Sequence, residues 1–212
     1  MAAQRLDKII ASTGRWSRRE VKDLVRQGRV TVDGVPARSA EEKADPEQAV
    51  IAVNGEKLNW RRYTWVMLNK PAGYLSATED GRGATVLDLL PQDLQRQGLF
   101  PVGRLDKDTE GLLLLTNEGG LAHELLSPKK HVDKEYYVRV AGRLSAADSA
   151  AFAEGLHLDD GLICQPAELR ILTSGEESEA RVILREGKFH QDRKSTRQNS
   201  SHNTTSRMPS SA

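Results

Sequence analysis

The chain has 212 residues, 38% of them apolar, and its 31 lysines and arginines against 30 aspartates and glutamates leave a formal net charge of +1. These values predict one or two small domains in a cytoplasmic protein, because the sequence has no membrane-length apolar segment and no signal peptide. A structural zinc site is not expected either, since Cys164 and the five histidines fit no metal-ligand spacing.

Two helices and a small sheet are predicted for the first sixty residues. Apolar residues at helical spacing indicate a first helix around residues 6–10, and Ser17 has the residue type of an N-cap for a second helix. Gly28 is expected to end that second helix. Two short strands follow, and each runs into a dipeptide typical of tight hairpin turns, Asp33-Gly34 and Asn54-Gly55.

Charge is unevenly distributed along the chain. Residues 1–62 contain 13 basic and 9 acidic side chains, whereas residues 63–191 contain 14 basic and 20 acidic ones. A basic first part favours a polyanionic partner, although basic side chains on helices are also ordinary solvated surface. The layout favours RNA binding by residues that lie off the apolar stripes: Arg5, Lys8, Arg15, Arg18, Arg19, Lys22 and Arg29.

Three strings of this first part match a known pattern: RLDKIIA at residues 5–11, SRREV at 17–21 and GRVTVDG at 28–34. They resemble the S4 domain, a small RNA-binding module, which would span residues 4–60 here. In that family two helices present basic side chains to structured RNA. The resemblance therefore implies RNA as the partner of this domain.

A second, mixed domain is predicted at residues 61–191. No repeat and no strict alternation of strands and helices is visible, so the expected fold class is α+β with a largely antiparallel sheet. The expected strands are residues 63–68, 111–116, 134–140, 167–172 and 179–184. A turn is expected at residues 69–73, a short helix at 85–90 and a longer helix at 146–155.

The most informative part of this domain is a charged segment, residues 104–110, which has a glycine near each end and leads into an apolar strand. By composition it is either a loop that carries catalytic groups or an acidic surface turn capped by Arg104. The full string, VGRLDKDTEGLLLLTNEG at residues 102–119, resembles very closely the central motif of the RsuA/RluB/RluE/RluF branch of pseudouridine synthases. Further segments resemble other motifs of that branch in the same order: residues 67–73, 127–137 and 185–191.

This resemblance implies that Asp106 is the catalytic residue. Substrate and product contain the same atoms, so the reaction that the family catalyses needs no cofactor and no metal. The carboxylate would act either as a nucleophile or as a base and electrostatic stabiliser. Asp108 and Glu110 occupy free positions of the motif and are expected to face solvent.

Other residues have roles implied by the same resemblance. Tyr136 would stack under a uracil flipped out of the RNA, while Tyr137, on the opposite side of the strand, is expected in the core. Arg104 would hold a phosphate, help displace the base or pair with a neighbouring carboxylate. Lys188 and His190 would shape the pocket rather than react.

The implied function is isomerisation of a specific uridine to pseudouridine in ribosomal RNA. The strings are most like those of the small-subunit, RsuA-type enzymes, which predicts 16S rRNA and a uridine-516 type of specificity. The alternatives are a large-subunit 23S rRNA synthase and a non-catalytic S4-type RNA-binding or ribosome assembly protein. A monomer acting on a pre-ribosomal particle, with no membrane partner, is expected.

The family pattern stops after Gln191. Residues 192–212 are rich in serine, threonine, asparagine and arginine, and they resemble translated sequencing adapter; a genuine disordered tail is the alternative. The synthase domain is therefore expected to be truncated, poorly stable and inactive in this chain. Arg193 falls where the family has a basic residue that pairs with the catalytic carboxylate, and it is the last candidate active-site residue.

Overall fold

A computed structural model describes residues 3–127, 130, 132–156 and 163–185. The chain divides into two compact units. The amino-terminal unit consists of the residues up to Trp65 together with Leu87–Phe100, and the carboxyl-terminal unit consists of Val66–Val86 together with the residues from Pro101 onward. No helix in the described ranges is long and apolar enough to cross a membrane.

The amino-terminal unit is built from short elements. In chain order these are β1 Gln4–Arg5, α1 Leu6–Ala11, α2 Arg18–Arg26, β2 Val30–Val32, β3 Val35–Pro36, β4 Lys43–Ala44, β5 Ile51–Val53, β6 Glu56–Lys57 and α3 Gln92–Gln95. The strands form a four-stranded antiparallel sheet in the order β3-β2-β5-β6, and β1 pairs with β4.

Both ends of α2 are fixed by local chemistry. The Ser17 hydroxyl accepts from the Glu20 N–H at 3.3 Å, and the Glu20 carboxylate accepts from the Ser17 N–H at 2.6 Å, which is a capping box. At the other end Gly28 adopts φ +68°, and its N–H reaches the Val25 carbonyl while the next N–H reaches that of Leu24. The predicted start and end of this helix are confirmed.

The two predicted hairpin turns are also confirmed. Asp33 and Gly34 have φ of +51° and +81°, and Asn54 and Gly55 have φ of +53° and +81°, as a two-residue type I′ turn requires. The hairpins set the registers of β2 with β3 and of β5 with β6, and the two hairpins then pair through β2 and β5, where Val30 lies opposite Val53.

The core of this unit lies between the two helices and the sheet. Its fully buried members come from α1, α2, β2 and β5 and include Leu6, Ile9, Ile10, Val21, Val25, Val30, Ile51 and Val53. Gly14, in the turn after α1, approaches residue 93 so closely that an added Cβ would lie 1.7 Å from the Asp93 carbonyl oxygen. Residues 87–100 thus pack on a position that accepts only glycine.

The carboxyl-terminal unit contains most of the longer strands. Its elements are β7 Trp65–Lys70, β8 Phe100–Val102, β9 Gly111–Thr116, α4 Gly119–Leu126, β10 Lys134–Ala141, α5 Ala146–Glu154, β11 Glu168–Thr173 and β12 Glu177–Leu184. They form one sheet in the order β7-β9-β8 and a second, antiparallel one in the order β10-β12-β11. A core cluster between the second sheet and α5 includes Val138, Val140, Phe152 and Val182.

The predicted α+β class and the strands β9 to β12 are confirmed. The first strand was predicted two residues too early, because Pro71 and Gly73 are turn formers and residues 69–73 were assigned to the turn. In the structure β7 continues through Asn69 and Lys70, which maintain its alternation of exposed and buried side chains. The strand β8 and the helix α4 were not predicted; α4 opens with Gly119 and Gly120, residue types of low helix propensity. The short helix predicted at 85–90 is a 3₁₀ helix, Val86–Leu89.

Candidate active site

Asp106 lies in the loop that joins β8 to β9, here called the Asp106 loop (residues 103–110). Its carbonyl accepts from the Thr109 N–H at 3.1 Å and so closes a four-residue turn. Asp106 is half-buried, whereas Lys107 and Asp108, at the corners of this turn, are exposed. The loop therefore offers two carboxylates two positions apart in different surroundings.

Ser76 fixes the backbone immediately before Asp106. Its hydroxyl donates to the Leu105 carbonyl at 2.7 Å and accepts from the Leu105 N–H at 3.1 Å. The buried Ser76 side chain thus satisfies both the N–H and the carbonyl of Leu105, the residue before Asp106.

Lys70 and Gly73 fix the backbone after Asp106. The Gly73 N–H donates to the Lys107 carbonyl at 2.8 Å. The Lys70 ammonium donates to the carbonyls of Lys107 at 3.0 Å, Thr109 at 2.7 Å and Pro71 at 3.1 Å. Asp106 is therefore held between two anchored residues, which limits the conformations available to its carboxylate.

Lys70 is fully buried, with 0% of its surface exposed. Burial lowers the pKa of its ammonium, and the carboxylates of Asp108, Glu110 and Asp106 oppose that shift. Three carbonyl acceptors match the three N–H donors of a protonated lysine. A positive charge thus lies beneath the carboxylates of the Asp106 loop.

The sequence did not identify Lys70 or Ser76 as parts of the site. Lys70 was assigned to a turn because it precedes a proline, and lysine is rarely buried. The sequence offered one indication: Lys70 is two residues after Leu68 and four after Val66, so in a continued strand its side chain falls on the same, less exposed face. Ser76 gives no local indication, since its partner is 29 residues away in the chain.

The remaining predicted synthase residues lie in different places. Arg104 is exposed in the Asp106 loop, and Asp108 is exposed as predicted, but Glu110 is half-buried. Tyr136 lies on β10, where it is half-buried against the core cluster of the second sheet. Arg193, Lys188 and His190 fall outside the described residues, as does the whole segment 192–212.

The prediction that Tyr137 is a core residue is wrong. The core face of β10 carries Val138 and Val140, and Tyr137 lies half-buried on the opposite face, outside the core cluster. There its hydroxyl accepts from the Arg139 Nε at 3.4 Å, and the guanidinium lies 6.0 Å from the ring centroid.

The candidate RNA-binding residues are all exposed, and five of them surround one concavity. This basic concavity has a volume of about 380 Å³ and is lined by Arg5, Asp7, Lys8, Arg18, Arg19 and Lys22. Arg15 and Arg29 do not line it. Arg15 instead lies 4.5 Å from the Trp16 ring centroid and 3.5 Å from a Glu56 carboxylate oxygen.

Arg5 is oriented by two carboxylates. Asp7 is 2% exposed and accepts from the Arg5 Nε at 3.1 Å and from Nη2 at 2.9 Å, and Glu41 accepts from Nη2 at 3.1 Å. The hydrogen bonds from Arg5 hold the pKa of Asp7 below its usual value. The other four basic side chains of the concavity form no salt bridge within the described part of the chain, so their charge is available to an anion.

No group of histidine, cysteine, aspartate or glutamate side chains among the described residues could hold a metal ion.

Comparison with known proteins gives consistent matches over both units. Residues 64–198 match the sequence model of a family described as RNA pseudouridylate synthase, and residues 4–50 match the S4 domain. An uncharacterized RNA pseudouridine synthase of Bacillus subtilis (strain 168), YtzG, is 46% identical over 188 residues, which cover 88% of this chain and 79% of that protein. The ribosomal large subunit pseudouridine synthase B of the same organism is 34% identical over 194 residues, covering 90% of this chain and 78% of that one. A crystal structure of a pseudouridylate synthase superposes with a TM-score of 0.57 at 33% identity, covering 91% of this chain and 81% of that one.

Proposed function

We propose that the protein expressed from the source locus of this chain, which belongs to the RNA pseudouridylate synthase family and carries an S4 domain, isomerises a uridine of ribosomal RNA and uses Asp106 as its catalytic residue. The observation that carries the proposal is the anchoring of the Asp106 loop on both sides by Ser76, Gly73 and Lys70. A fixed, half-buried carboxylate beside a buried cation is suited to a reaction that needs a charged group already in position.

The reaction moves one bond and one proton. The bond between uracil N1 and the sugar C1′ breaks, the base turns, and C5 bonds to C1′; C5 then loses its proton and N1 gains one. In this reaction Asp106 either attacks as a nucleophile or acts as a base and stabilises developing positive charge on the sugar.

Three further side chains complete the proposed site. Tyr136 stacks under the flipped uracil and offsets part of the cost of leaving the RNA stack. Arg104, exposed in the Asp106 loop, binds a phosphate or helps displace the base. The family motif implies that Arg193 pairs with the Asp106 carboxylate in a protein whose residues 192–198 belong to the fold.

The basic concavity binds the RNA backbone. Lys8, Arg18, Arg19 and Lys22 supply positive charge and form no salt bridge with a carboxylate of the described residues, and Arg5 is held in a fixed orientation at the same place. Such contacts carry affinity and register rather than sequence choice.

Ribosomal RNA as the substrate is supported by the relative named ribosomal large subunit pseudouridine synthase B. That name favours 23S rRNA, whereas the S4 domain and the strings at residues 107–111 and 127–131 favour a 16S uridine of the uridine-516 type. Both remain candidates within the same proposal.

The test maps pseudouridine on 16S and 23S rRNA from a strain that lacks the gene, by carbodiimide modification and primer extension. Loss of one pseudouridine, restored by the parental gene and not by the Asp106→Asn variant, is the expected result, and the affected RNA identifies the substrate. An unchanged pattern on both RNAs would contradict the proposal and favour a non-catalytic S4-type RNA-binding protein.

A further inference from the structure

The segment between β6 and β7, here called the connector (residues 59–64), is held against the turn that follows α1. At one end the Trp60 Nε1 donates to the Ser12 hydroxyl at 3.2 Å. At the other end the Thr64 hydroxyl donates to the Gln97 side-chain oxygen at 2.7 Å, and the Gln97 amide nitrogen donates to the Thr13 carbonyl at 3.0 Å. The connector is therefore fixed at both ends within the amino-terminal unit.

Three exposed side chains lie between these two anchors. Arg61 and Arg62 form no salt bridge within the described part of the chain, and the connector contains no acidic residue. The Arg62 guanidinium lies 5.0 Å from the centroid of the Tyr63 ring, which is 39% exposed. In contrast, the exposed arginines of the second sheet pair with carboxylates: Arg139, Arg170, Arg181 and Arg185.

We propose that Arg61, Arg62 and Tyr63 form a second RNA contact of the amino-terminal unit, separate from the basic concavity. The two guanidinium groups bind phosphates, and the Tyr63 ring stacks under an unpaired base. This inference rests on the proposed function, since it takes RNA as the ligand. An aromatic ring beside arginines without salt bridges fits an RNA strand better than a protein surface. The arginines provide charge for the phosphates, and the ring provides a face on which a base can stack.

The anchored backbone favours binding for an additional reason. A flexible linker would lose conformational freedom when it bound RNA, and this would weaken the interaction. The hydrogen bonds from Trp60 to Ser12 and from Thr64 to Gln97 already restrict the connector in the free protein, so less conformational freedom is lost on binding.

The test measures affinity for a fluorescently labelled RNA hairpin with a uridine-rich loop, over a series of salt concentrations. The double variant Arg61→Ala, Arg62→Ala should lower the salt slope, d log K/d log [salt], by about 1.4 in magnitude, since each single-strand phosphate contact contributes about 0.7. Tyr63→Leu should weaken binding roughly 5- to 100-fold with the slope unchanged, because stacking on an aromatic ring releases no counterions.

Arg38→Ala is the matched control, since Arg38 is also exposed and lies in the connection between β3 and β4. It should bind like the parent. The proposal is overturned if the double variant keeps the parental salt slope or if Tyr63→Leu keeps the parental affinity. It is also overturned if Arg38→Ala changes the slope as much as the double variant does. Asp106→Asn separates the two proposals when both its RNA affinity and its isomerisation of uridine are measured. If this variant binds normally and still isomerises uridine, the proposed function fails while the result for the connector stands.

Discussion

Two carboxylates of one loop differ in their exposure to solvent. Asp106 follows a residue clamped by Ser76 and closes a turn with its own carbonyl, and its side chain is half-buried. Asp108 lies at the exposed corner of that turn. Asp108 also lies between anchored residues, since the carbonyls of the residues on both sides of it accept from Lys70. Partial burial is therefore what distinguishes Asp106 and suits it to act as the reacting group.

Asp106→Asn, made in the protein expressed from its source locus, should abolish isomerisation while leaving RNA affinity nearly unchanged. The amide keeps the shape of the carboxylate but neither attacks the sugar nor stabilises positive charge, so turnover should fall roughly a thousandfold or more. Release of tritium from RNA labelled at uracil C5 measures the reaction. Asp108→Asn is the control and should turn over like the parent; equal losses in both variants would mean that the loop is only a structural acidic turn.

Lys70→Met should weaken both the fold and turnover. The variant keeps an unbranched stem but takes the ammonium away from the carbonyls of Pro71 and Thr109, while the Lys107 carbonyl keeps the Gly73 N–H as its donor. Loss of these hydrogen bonds costs about 1–3 kcal/mol of unfolding free energy. Because the loop then loses an anchor, kcat should fall more than KM rises. Urea denaturation and steady-state kinetics measure the two effects, with Lys107→Met as the exposed control on the same loop; parental values in Lys70→Met would contradict the anchoring role.

At the scale of single elements, the two ends of α2 carry basic side chains in different surroundings. Arg18 and Arg19 open the helix and line the concavity, whereas Arg26 pairs with Asp23 at 3.1 Å near its end and Arg29 follows the helix. The helix ends and hairpin turns were predictable because each depends on residues close together in the chain. Ser17 caps the start of α2, Gly28 follows its end, and the turns are the dipeptides Asp33-Gly34 and Asn54-Gly55 themselves.

Reversing the charges of Arg18 and Arg19 to glutamate should weaken RNA binding and lower the salt slope by about 1.8 in magnitude, since each duplex phosphate contact contributes about 0.9. Reversing Arg26 and Arg29 changes the net charge equally on the same helix and its end. That control should shift the slope much less. Equal slopes in the two double variants would show that the concavity is only solvated surface.

Contacts between distant elements account for what the sequence did not predict. Lys70 reaches a carbonyl 39 residues away, and Gln97 reaches one 84 residues away. Neither pairing leaves a periodic pattern in the sequence, so the burial of Lys70 and the grouping of residues 87–100 with the amino-terminal unit required the fold. The identity of Asp106 as a candidate came from the resemblance of its motif, not from periodicity.

At the scale of the whole molecule, residues 192–212 are predicted to contribute nothing to stability. Met208 is the only large apolar residue among them, so the segment has little apolar surface to bury against any core. Deleting residues 192–212 should therefore leave the melting temperature unchanged. Because the match to the synthase family runs to residue 198, a second deletion of residues 199–212 separates the two parts of the segment.

Both deletions should melt like the parent, and both should bind the RNA hairpin equally well, because the basic concavity lies within residues 5–22. If only the longer deletion lowers the melting temperature, residues 192–198 belong to the fold and Arg193 keeps its proposed place beside Asp106. Sequencing the source locus tests the origin of the segment independently: genomic DNA that encodes residues 192–212 without interruption would contradict the adapter interpretation, because read-through into an adapter leaves no trace in the genome.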